Sequence, residues 1–213
     1  MVKIFTVLYD DFSQPVNGFI PYYNKAKDKL YRFENNSIFN IVNQHLEEVD
    51  PNDWVGVFSP KFPEKTKCDH LCVMRGIRSA RDYAAVNYSP YLGDNIARRG
   101  WNFMEWSEDG HKGITELIQA CCSATGITYH PNPDHIIYAN QFVARKRVYV
   151  DFVESVLRPS IYLMEGELWD KANVDPGYTR SVYGVHYNLI TFVCERLFMQ
   201  YAHSKKIKVL EWN

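Results

Sequence analysis

One carboxylate stands out by its surroundings. Glu195 lies in "NLITFVCERLFMQY", a stretch apolar nearly all round, with Phe192, Phe198 and Met199 within one helical turn. A helix of that profile is buried. A buried carboxylate must be paired, or it must hold its proton more tightly than usual. Glu195 is therefore either the structural partner of an arginine or a tuned acid/base group. Cations gather elsewhere. "SPKFPEKTK" places Lys61, Lys65 and Lys67 just beyond an apolar run. Arg75 and Arg78 fall one turn apart on a predicted helix and can point the same way. Arginine can hold a phosphate bidentately. A solvated basic loop has the same composition, so both readings stand.

A second group sits in "RDYAAVNYSPYLGDN", residues 81–95. The apolar run 83–86 breaks at Asn87, Ser89 and Pro90, as the end of a parallel strand would. Ligands of open α/β sheets bind where such strands end. Asn87 and Ser89 offer neutral oxygens there, which bind Mg²⁺ or Mn²⁺ weakly without carboxylates. Asp82 precedes the strand, and the nearest downstream acid is Asp94. A phosphate at this mouth would have its charge offset chiefly by side-chain cations. Asn140, in "HIIYANQFVAR", is a polar residue in an apolar strand; it either holds a ligand hydroxyl or braces a loop. Asp175 and His186 flank a loop with Tyr178 and Tyr183 before the Glu195 helix. His186 can hydrogen-bond a ligand there, or merely cap the helix.

The elements that must position these residues alternate. Strands are expected at 2–8, 53–60, 83–86, 135–145 and over "IKVLEW". Helices are expected in "ENNSIFNIVNQHLEEV", with Asn36 or Ser37 as N-cap, at 69–80, and in "GITELIQACCSATG", closed by Gly126. Others are expected in "KRVYVDFVESVL", broken or kinked by Pro159, in "SIYLMEGELWDKA", and around Glu195. Residues 10–29 and "KFPEKTKC" read as loops. The order implies an α/β sandwich with a mostly parallel sheet. With no linker or internal repeat, residues 1–213 read as one domain.

Bulk composition limits the partners. Hydrophobic residues make up 46% of the chain, enough for a full core, yet no apolar run approaches the ~18 residues of a membrane span. The apolar part of "MVKIFTVLYDDF" is too short for a signal segment and reads as a buried first strand. The net charge of -1 shows no overall basic excess for a nucleic-acid binder. Five cysteines without a C-x-x-C spacing imply reduced, mostly buried thiols and a cytoplasmic setting.

Taken in order, "NNSIFNIVNQ", "DWVGVFSPKF", "HIIYANQFVARKRVYVDFVESVLRPSIYLME" and "YGVHYNLITFVCERLFMQYAHSKKIKVLEW" resemble a group of small bacterial and phage glycosyltransferase-like proteins. That group is related to capsular-polysaccharide galactosyltransferase domains. The resemblance spans about two-thirds of the chain. It implies a GT-A-like sandwich that binds a nucleoside diphosphate sugar, with UDP-sugar favoured. The implied activity is hexose transfer to a glycan or other hydroxyl acceptor. Under it, Tyr9 stacks on the base and Asp10 accepts from its imide. Lys61, Lys65, Arg75 and Arg78 face the diphosphate, with Asn87 and Ser89 at the position of the usual metal-binding acids and Asn140 at the sugar. Glu195, Asp175 and His186 are the candidate acid/base groups. A bound Mn²⁺ or Mg²⁺ stays open although the usual Asp-x-Asp pair is missing. Two alternatives stand beside this: a phage-type transferase modifying DNA bases, and a non-catalytic module binding sugar nucleotides or glycans.

Overall fold

The computed structural model describes the chain apart from residues 10–12, 25–33, 90–98, 138, 175–187 and 213. Its centre is a six-stranded sheet in the order β2-β1-β3-β5-β4-β6. The strands are β1 (Val2–Leu8), β2 (Ile20–Tyr23), β3 (Trp54–Phe58), β4 (Ala85–Asn87), β5 (Phe142–Arg145) and β6 (Val209–Glu211). β1 pairs in parallel with both β2 and β3, and β4 does so with β6. Only β5 runs the other way, antiparallel to β3 and to β4. The expected α/β class and mostly parallel sheet hold.

Helices cover both faces of the sheet. Successive strand residues point to opposite sides, and each side is apolar here. On one face Phe5, Val7, Val55, Val57, Phe142 and Ala144 pack with helices α1 (Glu34–His45), α5 (Ile114–Thr125) and α9 (Leu189–Ser204). The ring of Phe142 stacks on Phe198 of α9 at 3.6 Å. On the other face Ile4, Phe58, Val86 and Val143 meet α2 (Phe62–Thr66) and α3 (His70–Ser79). Phe58 stacks on Phe62 at 3.9 Å, and the buried Tyr88 hydroxyl donates to Val73 O at 2.8 Å. Burial of each such large side chain contributes roughly 1.5–3 kcal/mol.

Local signals set the helix ends. The Asp69 side chain accepts from Cys72 N at 2.8 Å and starts α3. A capping box between Asn102 and Glu105 starts α4 (Phe103–Gly110). Gly126, at φ 69°, closes α5 as expected. α6 (Lys146–Phe152) continues through a π-helical turn, Val153–Leu157, into α7 (Arg158–Glu165). In that turn Arg158 N reaches back to Val153 O. Pro159 falls in the first turn of α7, so the proline is absorbed by a widened turn and does not break the rod. α8 (Trp169–Ala172) is short.

Several expectations need correction. α1 begins at Glu34, so Asn36 and Ser37 lie inside its first turn, buried, rather than capping it. β2 falls where a polar loop was expected. "KFPEKTKC" holds α2, because Pro63 suits the first turn of a helix. The strand expected over 135–145 shortens to β5. Ala139 and Asn140 adopt φ 55° and 54°, which no extended strand allows. The thiols are not all reduced: a disulfide joins Cys68 to Cys72, while Cys121, Cys122 and Cys194 are free and buried. The Cys68 and Cys72 Cα atoms are 5.3 Å apart, within the span a disulfide bridges.

Candidate functional site

Five strands point one way, so their carboxyl ends form one rim: Leu8, Tyr23, Phe58, Asn87 and Glu211. β2 and β3 flank β1 on opposite sides. The ends of β1 and β3 therefore mark the topological switch point, where ligands of doubly wound sheets bind.

β3 delivers Ser59, Pro60 and then α2, with Lys61 and Lys65 exposed on it. Across the rim, α9 carries Glu195. Its carboxyl is held above the ordinary carboxylate range, by burial first and also by the Glu34 carboxylate, against the opposing charges of Lys65 and Arg196. Its side chain still keeps 19% exposure, so the proton can leave. The neighbouring guanidinium does not neutralise it closely. Arg196 Nη1 stands 3.8 Å from the Glu195 carboxylate, well beyond a charge-assisted hydrogen bond. That guanidinium is engaged elsewhere, donating to Ser107 Oγ at 3.0 Å and to Phe192 O at 2.8 Å. Glu195 thus meets an arginine only at long range and holds its proton more tightly than an ordinary carboxylate, and both readings of it stand.

Tyr9 follows β1 directly at this rim and is 36% exposed. Two predicted residues from distant parts of the chain, Lys65 and Glu195, are thus brought into electrostatic contact, with Tyr9 on the adjoining strand end. Others do not join them. The Asn87 amide donates to Ile136 O at 2.9 Å and to Glu211 Oε2 at 2.7 Å, and its Oδ1 accepts from Ser89 N at 2.9 Å. Asn87 and Ser89 are buried and brace the rim. They also lie at the end of β4, which β3 and β5 separate from β1, three strand spacings or about 14 Å away. The strand expected at 83–86 is β4, shifted to Ala85–Asn87, and its end lies away from the switch point. Arg75 and Arg78 are exposed on α3. α3 carries the chain from the rim down to the start of β4, so Arg78, in its last turn, lies at the opposite edge. Asn140 sits buried in a left-handed turn just before β5, at the rim. Asp10, Asp94, Asp175 and His186 lie outside the described residues.

Three polar groups were not foreseen as site candidates, although Ser37 was expected as an N-cap. Asn35 Oδ1 and Ser37 Oγ in the first turn of α1, and Gln141 Oε1 beside β5, are buried with no hydrogen-bond partner among the described residues. α1 starts at the rim and runs down to β3, and Gln141 precedes β5 at the same rim. A buried acceptor without a donor is rare and needs an explanation. The pattern that hides them is ordinary: Asn, Ser and Gln at a predicted helix start and strand start. His111, stacked on Phe192 at 3.9 Å, was also unforeseen. Burial first, and then Arg196, push it down to about 4, so it is neutral and packs behind the Glu195 helix.

No family model, no curated protein and no solved structure matches the chain.

Proposed function

We propose that the chain transfers a hexose from a nucleoside diphosphate sugar, a UDP-sugar first, to a hydroxyl of a glycan acceptor. The proposed site is the rim between β1 and β3 in a GT-A-like sandwich. The observation that carries this reading is Glu195: a carboxyl above its ordinary range, facing the charge of Lys65 at a topological switch point. The mostly parallel sheet and the sequence resemblance support it.

Each residue has a task in that chemistry. Tyr9 offers a ring to the base. Lys65 and Lys61 offset the diphosphate charge, which grows as the bond from the anomeric carbon to the phosphate oxygen breaks and its electron pair leaves with the diphosphate. The acceptor oxygen bonds to that carbon, and its proton passes to Glu195. A raised carboxyl is the stronger base for this step. Donor binding strengthens it further, because a diphosphate on Lys65 cancels the cationic pull that now opposes the shift. Asn35, Ser37 and Gln141 offer acceptors for donor hydroxyls. A divalent cation, if used, would be shared with the diphosphate. Among the described residues no three His, Cys, Asp or Glu side chains gather to hold one, and no step here depends on it.

The test uses purified protein with UDP, GDP and a panel of their sugars. UDP is expected to raise the melting temperature saturably, and Lys65→Glu to remove that shift. Glu195→Gln is expected to keep the shift while turnover falls about 10²- to 10⁴-fold. Binding without turnover in the unmodified protein would leave the non-catalytic module standing. A silent nucleotide panel, or full turnover in Glu195→Gln, would sink the proposal.

A further inference from the structure

The opposite edge of the sheet holds a second cleft, of about 570 Å³, that the proposed chemistry does not use. That volume lies within the range of small-molecule sites. Five cations line it: Arg81, Arg145, Arg147, Lys206 and Lys208, against one acid, Asp82. They come from four separate places: the turn before β4, the end of β5, the start of α6 and the approach to β6. A chain with a net charge of -1 gathers this excess only by concentrating it.

The floor of the cleft is built. The Arg145 guanidinium lies 4.1 Å over the Trp54 ring and donates to Asn52 O at 2.6 Å and to Arg81 O at 3.5 Å. Arg145 is therefore fixed in place, and the charge of Arg147 bears on it unfavourably. Arg81, Arg147, Lys206 and Lys208 are exposed, and no ion pair among the described residues engages them. Lys206 adopts φ 52°, a left-handed turn that ends α9 and sets Lys206, Ile207 and Lys208 along the cleft. Crowded like charges, offset only in part by Asp82 and by the Asp53 carboxylate that bears favourably on Arg145, cost free energy, and a bound anion relieves it. Tyr83, Val148 and Ile207 supply an apolar wall beside the cations.

We infer that this cleft binds a phosphorylated small group, two or more phosphate charges held by Arg147, Lys206 and Lys208 over the fixed Arg145, independently of the rim. The shared chemistry has two sources, a soluble phosphate ester and the phosphate headgroups of a lipid surface. The test begins from Lys61→Glu with Lys65→Glu, which takes both rim cations out of the measurement. Inorganic pyrophosphate is titrated by calorimetry, and sedimentation is followed with phosphatidylcholine vesicles, plain or mixed with phosphatidic acid. We expect saturable binding that weakens with added salt. Arg147→Glu with Lys206→Glu, both exposed, should lower the affinity at least about tenfold. Loss of the pyrophosphate signal in that variant assigns a soluble ester, and loss of sedimentation with phosphatidic acid alone assigns a headgroup. No binding by either probe, or equal binding in the charge-reversed variant, overturns the inference. So does tighter binding of a duplex oligonucleotide than of pyrophosphate.

Discussion

Glu195 concentrates the trade between activity and stability in a single group. Its folded value is raised, so the folded state binds more protons than the unfolded chain between the ordinary carboxylate range and that raised value. Stability therefore falls as pH rises through this window and is fully present below it. Glu195→Gln removes the ionisable group and its desolvation. That variant should melt above the unmodified protein at neutral pH, and the gap should close as pH falls into the ordinary carboxylate range. Thermal melts of both proteins across pH would show it; a gap constant with pH would mean the carboxyl is not perturbed. The apolar setting that signals this group was legible in sequence, because Phe192, Phe198 and Met199 lie within a turn of it. Its neighbours were not. Lys65 and Glu34 approach it only through the fold, and their positions carry no local mark.

At the level of elements, α3 lies against β4 through the smallest residue available. A methyl group on Gly76 would stand 2.6 Å from the Tyr88 hydroxyl and 3.2 Å from the Trp212 ring. Tyr88 cannot yield without losing its bond to Val73 O. Gly76→Ala should cost about 1–3 kcal/mol despite its better helix propensity, read as a lower urea midpoint. A gain in stability would show that Tyr88 swings aside freely. The strongly patterned elements were readable: β1 and β3 as apolar runs, α3 within the helix expected at 69–80, α5 from its closing glycine. β2 was not, since "IPYY" is short and exposed and gains its place only by pairing with β1. α2 was hidden by its lysines. β5 was overextended because the left-handed Ala139 and Asn140 interrupt an otherwise strand-like composition. The site suffered more than the fold. Asn87 sat correctly at a strand end, but which strand ends meet is a matter of sheet order, and no residue type encodes it.

For the whole molecule, the rim and the basic cleft lie at opposite edges of the sheet. β1 alone, with seven residues, separates them by about 23 Å. Sites that far apart with no shared partner should act additively. With the rim already saturated by UDP, pyrophosphate at the cleft should add to the unmodified protein the same stabilisation that it gives the variant with Lys61→Glu and Lys65→Glu. A deficit would point to competition for one site. The reversed strand adds a consequence for synthesis. β5 fills the slot between β3 and β4, yet it is made more than fifty residues after β4 and more than eighty after β3. Until the ribosome has released it, the "WVGVF" segment has one flank bare, and β4 has nowhere to dock. Such a flank invites pairing with another chain. Nascent chains stalled with β5 still inside the ribosome should therefore lean on chaperones far more than those stalled once β5 has emerged.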